Sequence, residues 1–403
     1  MLSGSFIASG CQWVTLMVLA KLLSPEDVGH YALGLAVTAP VTMFSMLQLR
    51  AILVTDAHNL HDFEDYLGLR LVTNFLAGII VFFILLFLGG KYSFGVHIII
   101  FLILINKLIE ATSDIGYGLM QKHERLDKVA KSLILRNIGG TLFFAVVIKL
   151  TFSLVLGTCA IGIWWLAVLC VYDRVNVQLY SHFKPRFNSK IIFSIFITGL
   201  PLGISTGIMS VNSNMSRYFV EAYLGSESLG YFAAMAYVVV GASRAVLALG
   251  QSGAARLARY FCYNRKAYVR LLAKMTAVTF VIAVTTVLLG KYFGRAFLTI
   301  VYKPEYAEQQ EVFVWLLISA GAIMLASILG YGMTAARRFK SQVPLFIVTC
   351  GVSFLLSRFL IPRYGMQGAA WAMLGATAIQ SLGALLVIGF SLMSPVSQKN
   401  PEK

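Results

Sequence analysis

Charge is what this sequence has least of. Only 12% of its 403 residues are Asp, Glu, Lys or Arg, and just 17 of these are acidic, whereas a soluble domain carries about 25% charged residues. With 58% apolar residues and a mean hydropathy of +0.79, the chain cannot cover itself with a polar surface, which excludes a water-soluble enzyme. Cysteine is sparse and scattered: Cys11, Cys159, Cys170, Cys262 and Cys350 share no close spacing, so neither a disulfide framework nor a thiolate metal site is readable. Lys and Arg are missing before Lys21, which argues against a secretory signal. A Walker-type glycine loop is also missing, so ATP hydrolysis has no support. No catalytic constellation emerges and no cofactor is implied. A membrane-embedded sugar transferase or polymerase would need a substantial extramembrane segment or converging acids; the outer loops are short, and the nearest candidate, Asp173-Arg174 at the end of the sixth span, reads more simply as a helix-end pair.

What the chain has is long apolar runs, each near the ~20 residues that cross a hydrocarbon core as a helix. Twelve are readable, at 2–22, 28–49, 67–89, 96–118, 133–149, 152–172, 191–219, 229–250, 271–290, 311–333, 341–361 and 367–390. A barrel strand needs only ~10 alternating residues, and these runs are continuous. The fold class is therefore an all-α polytopic membrane protein. The net charge of +16 then reads as loop bias rather than as a nucleic-acid surface. Lys and Arg concentrate on one set of loops (Lys122 to Arg136, Arg174 to Lys190, Arg256 to Lys274, Arg337 to Lys340) and are few on the other. That asymmetry places both termini in the cytoplasm.

One segment repeats. Leu23-Ser-Pro-Glu-Asp-Val-Gly-His-Tyr-Ala32 returns 201 residues later as Leu224-Gly-Ser-Glu-Ser-Leu-Gly-Tyr-Phe-Ala233, with Leu, Glu, Gly and Ala identical. Each copy occupies the outer turn between the first and second span of a six-span half. Six spans per half means both halves enter the membrane the same way, which implies two lobes related by a pseudo-two-fold axis along the membrane normal. The expected organisation is an N-terminal lobe at 1–172, a cytoplasmic linker at 173–190 and a C-terminal lobe at 191–403. Pro201 lies among Gly199, Gly203 and Gly207, which reads either as a bending point or as a small-residue packing face.

These residues, together with Gln48-Leu-Arg50, Asn214-Met-Ser-Arg-Tyr-Phe-Val-Glu221 and Leu249-Gly250 followed by Arg256-Leu-Ala-Arg-Tyr260, carry a resemblance. The chain resembles the polysaccharide-biosynthesis flippases, which are related to multidrug and toxin extrusion transporters. Two departures stand out: Ser216 precedes Arg217 where relatives often have proline, and the first span starts almost at Met1, which reads as a shortened start. The resemblance implies a bacterial cytoplasmic-membrane protein that flips a polyprenyl-diphosphate-linked oligosaccharide by alternating access. The implied partners are that lipid-linked oligosaccharide, membrane lipids and other membrane proteins of polysaccharide assembly. An ion-coupled exporter of small amphiphiles is the first alternative, and a membrane-embedded sugar transferase or polymerase the second.

An ionisable group inside a span costs about 2.5–3.5 kcal/mol on insertion scales, so it faces a partner or a water-filled cavity. Arg244 has no carboxylate within four residues on its helix and leads the candidates for a cation binding the diphosphate, followed by Arg50 and Arg217. Lys107, Glu110 and Asp114 share a helix face and are candidates for ion coupling as well as for mutual neutralisation. On the cytoplasmic side the acidic turn Asp56, Asp62, Glu64 and Asp65 is the repeat counterpart of the basic run containing Arg256, Arg259 and Arg265. The two are expected to form a gate that closes by charge pairing. His58, His61 and Asp62 lack the spacing of a recognised metal site.

Overall fold

The computed structural model describes the backbone of residues 2–56 and 60–393; the side chains of residues 2, 3, 5, 239–245, 248, 339 and 340 are not described. Among the described residues every regular element is helical. The elements are α1 (Leu2–Leu22), α2 (Pro25–Ser45), α3 (Leu49–Thr55), α4 (Phe63–Phe87), α5 (Phe94–Lys122), α6 (Leu126–Thr151), α7 (Leu154–Val168), α8 (Arg174–Val177), α9 (Ser189–Tyr263), α10 (Arg265–Val301), α11 (Pro304–Ala307), α12 (Gln310–Ala335) and α13 (Phe339–Met393). A π-helical turn, Leu169–Asp173, joins α7 to α8.

Local sequence explains the helix ends. Ser24 caps α2: its hydroxyl accepts from the Asp27 N–H at 3.2 Å while the Asp27 carboxylate accepts from the Ser24 N–H at 3.3 Å, with Pro25 at the first helical position. Gly225 (φ +83°) interrupts α9 and Gly365 (φ +59°) interrupts α13. Both have backbone angles that glycine adopts at little cost, so each long helix is two spans in tandem. Nine helical stretches among the described residues are long and apolar enough to cross a membrane. The breaks in α9 and α13, together with α1, bring the spans to the twelve expected. The protein is an all-α polytopic membrane protein. Its outward-facing surfaces agree, with Phe87 92% exposed and Phe75, Phe83, Val281 and Phe390 among the other bare apolar side chains. Hydrocarbon, not water, covers such a surface.

The chain folds as two compact units, Met1–Ala234 and Met235–Lys403. In the first, small residues let helices approach closely. Gly139 and Gly140 of α6 lie against Trp164 and Trp165 of α7, and Gly162 lies against Asn106 of α5, whose amide donates to the Thr158 carbonyl at 3.0 Å. The stretch 189–234, expected to open the second lobe, packs with this unit. Its Gly199, Gly203 and Gly207 form one face against Phe44 and Leu47 at the end of α2, which is the small-residue packing arrangement. In the second unit Tyr268, fully buried, donates to the Gly332 carbonyl at 3.0 Å. Ser319 of α12 donates to the Ala370 carbonyl of α13 at 2.8 Å.

A β-carbon on Gly203 would lie 2.8 Å from the Phe44 carbonyl oxygen, whereas one on Gly351 would meet nothing within 4 Å. Gly203→Leu is therefore expected to destabilise by about 1–3 kcal/mol through overpacking. Thermal unfolding in detergent should show a lower Tm for Gly203→Leu and an unchanged or higher one for Gly351→Leu.

Candidate functional site

The site begins with a break in the backbone. After α2 ends, Leu47 (φ +47°) and Gln48 (φ +51°) both adopt left-handed conformations, which cost a side-chain-bearing residue roughly 1–2 kcal/mol each. The turn redirects the chain into α3, whose second residue is Arg50. Arg70 of α4 holds this turn. Its side chain is fully buried, and its Nη1 and Nη2 donate to the carbonyls of Ser45 and Met46 at 3.1 and 3.0 Å. Those carbonyls lie at the electronegative end of α2, where a cation is favoured; the Met46 carbonyl also accepts from the Leu49 N–H at 3.0 Å. Sequence reasoning missed Arg70. The available signal was a single arginine in the second turn of a long apolar helix.

Opposite Arg50, α5 carries a polar stripe: Lys107, Glu110, Asp114, Tyr117 and Gln121 alternate at spacings of three and four, so they lie along one face for about 21 Å. The structure brings Arg50 to this stripe. Its Nη1 donates to Asp114 Oδ1 at 3.1 Å, and its Nε and Nη2 donate to Gln121 Oε1 at 3.2 and 2.9 Å. Lys107 Nζ meets Glu110 Oε2 at 2.9 Å. The other Glu110 oxygen accepts from Arg136 Nη2 at 3.0 Å.

By sequence position Arg136 groups with the basic loop residues. It lies within α6, 3% exposed, with its guanidinium 4.9 Å over the Trp165 ring and 5.8 Å from that of Tyr117. Arg50 is also 5.8 Å from the Tyr117 ring. The Tyr117 hydroxyl bonds Ser132 Oγ at 2.8 Å, and Ser132 donates to Asp173 Oδ1 at 2.5 Å. Asp173, which adjacency suggested was paired with Arg174, is thus a buried member of this network, carried by the π-helical turn. The network is graded. Arg136, Tyr117, Ser132 and Asp173 are sealed inside the unit, whereas Arg50 and Asp114 each keep 19% of their side-chain surface exposed. A charge-lined, partly solvated strip of this kind can exchange one anionic partner for another.

The remaining candidates fall elsewhere. Arg217 donates to Asn214 Oδ1 at 2.6 Å, and Glu221, almost fully buried, accepts from Ser226 Oγ at 3.0 Å. The Arg244 side chain and His58 lie outside the described residues. In the acidic turn, Arg186 holds Asp62 at 2.8 Å and Asp65 at 3.5 Å. Ser181 Oγ and the His182 N–H donate to Glu64. Burial raises the Asp56 carboxyl, but the N–H groups of Leu60 and His61 and the Lys122 charge together outweigh it and hold the group below the usual carboxylate range. Arg256 and Arg259 are exposed on the second unit, and Arg265 stacks on Phe261 and donates to the Ser391 carbonyl. Among the described residues, no group of three or more His, Cys, Asp or Glu is placed to hold a metal ion. A separate apolar groove of about 480 Å³ runs between α4 and α5, lined by Phe75, Ile79, Phe82, Phe101 and Ile105.

Residues 1–254 match the family described as polysaccharide biosynthesis protein. The chain belongs to this family. It is 26% identical over 373 residues to the capsular polysaccharide biosynthesis protein CapF of Staphylococcus aureus, covering 92% of this chain and 93% of that protein. The fold is that of an inward-facing multidrug resistance MATE transporter of the MOP superfamily (TM-score 0.74, 11% identity, 96% and 94% of the two chains). It is equally that of the lipid II flippase MurJ in an inward closed conformation (TM-score 0.74, 13% identity, 97% and 88%). Within the polysaccharide biosynthesis family, this chain's local carriers of the resemblance acquire structural meaning: Gln48-Leu-Arg50 is the left-handed turn and the cation it delivers.

Removing Glu110 leaves the buried Arg136 without its carboxylate. Glu110→Gln is expected to cost about 3–5 kcal/mol, seen as a marked fall in detergent Tm and partly relieved in Glu110→Gln/Arg136→Met. Breaking the exposed Arg125–Asp127 pair with Asp127→Asn should leave Tm within error.

Proposed function

We propose that the protein translocates a polyprenyl-diphosphate-linked oligosaccharide across the bacterial cytoplasmic membrane by alternating access, for assembly of a surface polysaccharide. The observation that carries this reading is the α5 stripe with Arg50 at its solvated edge. Arg50 is held in place by Asp114 and Gln121, so its planar fork is oriented before substrate arrives. A diphosphate supplies oxygens in the bidentate geometry that guanidinium prefers, and it can replace Asp114 and Gln121 on Arg50 when a proton or cation takes Arg50's place on Asp114. Arg217 and Arg244 are the further cations proposed for the headgroup. Membership of the polysaccharide biosynthesis family supports the substrate class, and the shared fold with the MurJ lipid II flippase supports the mode of action. The protein contributes binding and conformational exchange rather than bond-breaking chemistry, with both termini cytoplasmic.

Lys107, Glu110 and Asp114 are the proposed coupling residues. Since both carboxylates are held by cations, coupling works by exchange: an ion that binds Asp114 releases Arg50. At the cytoplasmic side, Arg186 acts as the resident partner of the acidic turn, and Arg256, Arg259 and Arg265 as its competitors. The apolar α4–α5 groove favours one second reading, export of small amphiphiles, because its lining is a chain-binding rather than a headgroup-binding surface.

The deciding experiment is the sidedness of the lipid-linked oligosaccharide in a strain lacking the protein, read by an external lectin or glycosidase on spheroplasts. The flippase reading predicts that the intact unit accumulates and stays inaccessible. An unchanged lipid-linked pool would favour the exporter, and an accessible but unpolymerised one would favour an enzyme. In the same assay Arg50→Gln should reduce complementation at least tenfold, with Arg50→Lys intermediate because it keeps charge but loses the fork.

A further inference from the structure

The two copies of the repeated turn touch each other, and they do so reciprocally. A β-carbon on Gly29 would fall 1.8 Å from the Ser226 carbonyl oxygen, and one on Gly230 would fall 1.8 Å from the Pro25 carbonyl oxygen. Under the 201-residue offset of the repeat, Pro25 corresponds to Ser226 and Gly29 to Gly230. The contact is therefore the same contact made twice, each copy's glycine against the other copy's first helical carbonyl. Flanking residues follow the offset too. Glu26 pairs with His30 one turn on, at 3.7 Å, and Glu227 accepts from the Tyr231 hydroxyl one turn on, at 3.4 Å.

The start of α2 and the segment of α9 just beyond the Gly225 break thus cross backbone to backbone. Side chains close to the crossing on both sides are sealed: Val28, Ala32, Leu229 and Ala233 are 0–1% exposed. A glycine inside a helix costs about 0.5–1 kcal/mol relative to alanine, and two are retained here where a carbonyl lies closest. The backbone contact itself consists of weak Cα–H···O contacts and dispersion, and the Tyr218 hydroxyl donates to the Ala36 carbonyl between the same two helices. Gly225, where a β-carbon would meet nothing within 4 Å, supplies a pivot beside it.

We infer that the reciprocal Gly29–Ser226 and Gly230–Pro25 crossing is a latch that seals the outer end of the protein in this conformation and parts to release cargo outward. The outer location rests on the orientation proposed above, while the latch itself does not depend on what is carried. It assigns the repeated sequence a role: each half contributes one jaw of the same closure. Placing a β-carbon at an ordinary C···O distance of about 3.3 Å from that carbonyl requires the backbones to part by roughly 1.5 Å, so any β-carbon at either glycine biases the latch open.

The test uses a full-length chain whose five cysteines are replaced and which carries Ala32→Cys or Ala233→Cys as a reporter behind the crossing. In spheroplasts, a membrane-impermeant maleimide added outside should label the reporter at least tenfold faster when Gly29→Val or Gly230→Val is present, and severalfold faster with the Gly→Ala variants. Unchanged labelling in variants that reach the membrane at the parental level overturns the latch. If the valine and alanine variants fail to accumulate, spin labels on the exposed Glu26→Cys and Glu227→Cys sites read the crossing with both glycines intact, in nanodiscs with and without undecaprenyl diphosphate. A second, longer distance population in either condition upholds the latch, and a single fixed distance in both overturns it. Failure of undecaprenyl diphosphate to redistribute two existing populations counts against the substrate reading and leaves the latch standing.

Discussion

The cost of placing charge in hydrocarbon organises this protein. Each ionisable group within a span must be neutralised, wetted or withdrawn, and the N-terminal unit does all three along one helix. At its sealed side, Arg136 shares Glu110 with Lys107 and lies against two aromatic rings. At its wetter edge, Arg50 and Asp114 retain some exposure. Buried pairs are poor sources of net stability because desolvation offsets their attraction. A network of two arginines, one lysine and three carboxylates is therefore better explained by what it does than by what it stabilises. It keeps a strip of alternating charge in register inside an otherwise apolar bundle.

That register depends on a strained turn. Two consecutive left-handed residues at Leu47 and Gln48 are tolerated because Arg70 ties down the carbonyls of Ser45 and Met46 at the end of α2, and because Gly199 and Gly203 allow the tail of α2 to lie against α9. Strain of this kind persists where surrounding contacts over-determine it. Here its consequence is visible, since the turn aims Arg50 at Asp114 and Gln121 instead of continuing α2 past them.

Much of this was legible in the sequence, because its main signals are long-range in scale and simple in kind. Run length and the scarcity of charge were enough to show the spans, and the breaks at Gly225 and Gly365 fall in the gaps read between spans. The Lys107, Glu110 and Asp114 face followed from helical spacing alone. What spacing could not reach was anything that depends on a partner from another helix. Arg136 looked like a loop cation because its carboxylate lies on α5. Asp173 looked like a helix-end residue because Ser132 is on α6. Arg70 went unnoticed because its partners are main-chain carbonyls, which leave no trace in side-chain patterning. The repeat was readable as a repeat, but that its two glycines meet is a fact of packing.

On the proposed function, this chain alone moves a diphosphate-linked lipid between leaflets. The most direct measurement reconstitutes the purified protein in vesicles containing a fluorescent polyprenyl-diphosphate saccharide and follows how much of it an impermeant reductant can quench. Protein-containing vesicles should lose their protected inner-leaflet fraction while protein-free vesicles retain about half of the fluorescence, as expected for a symmetric bilayer. Equal protection in both, with correctly folded protein present, would contradict the proposed function.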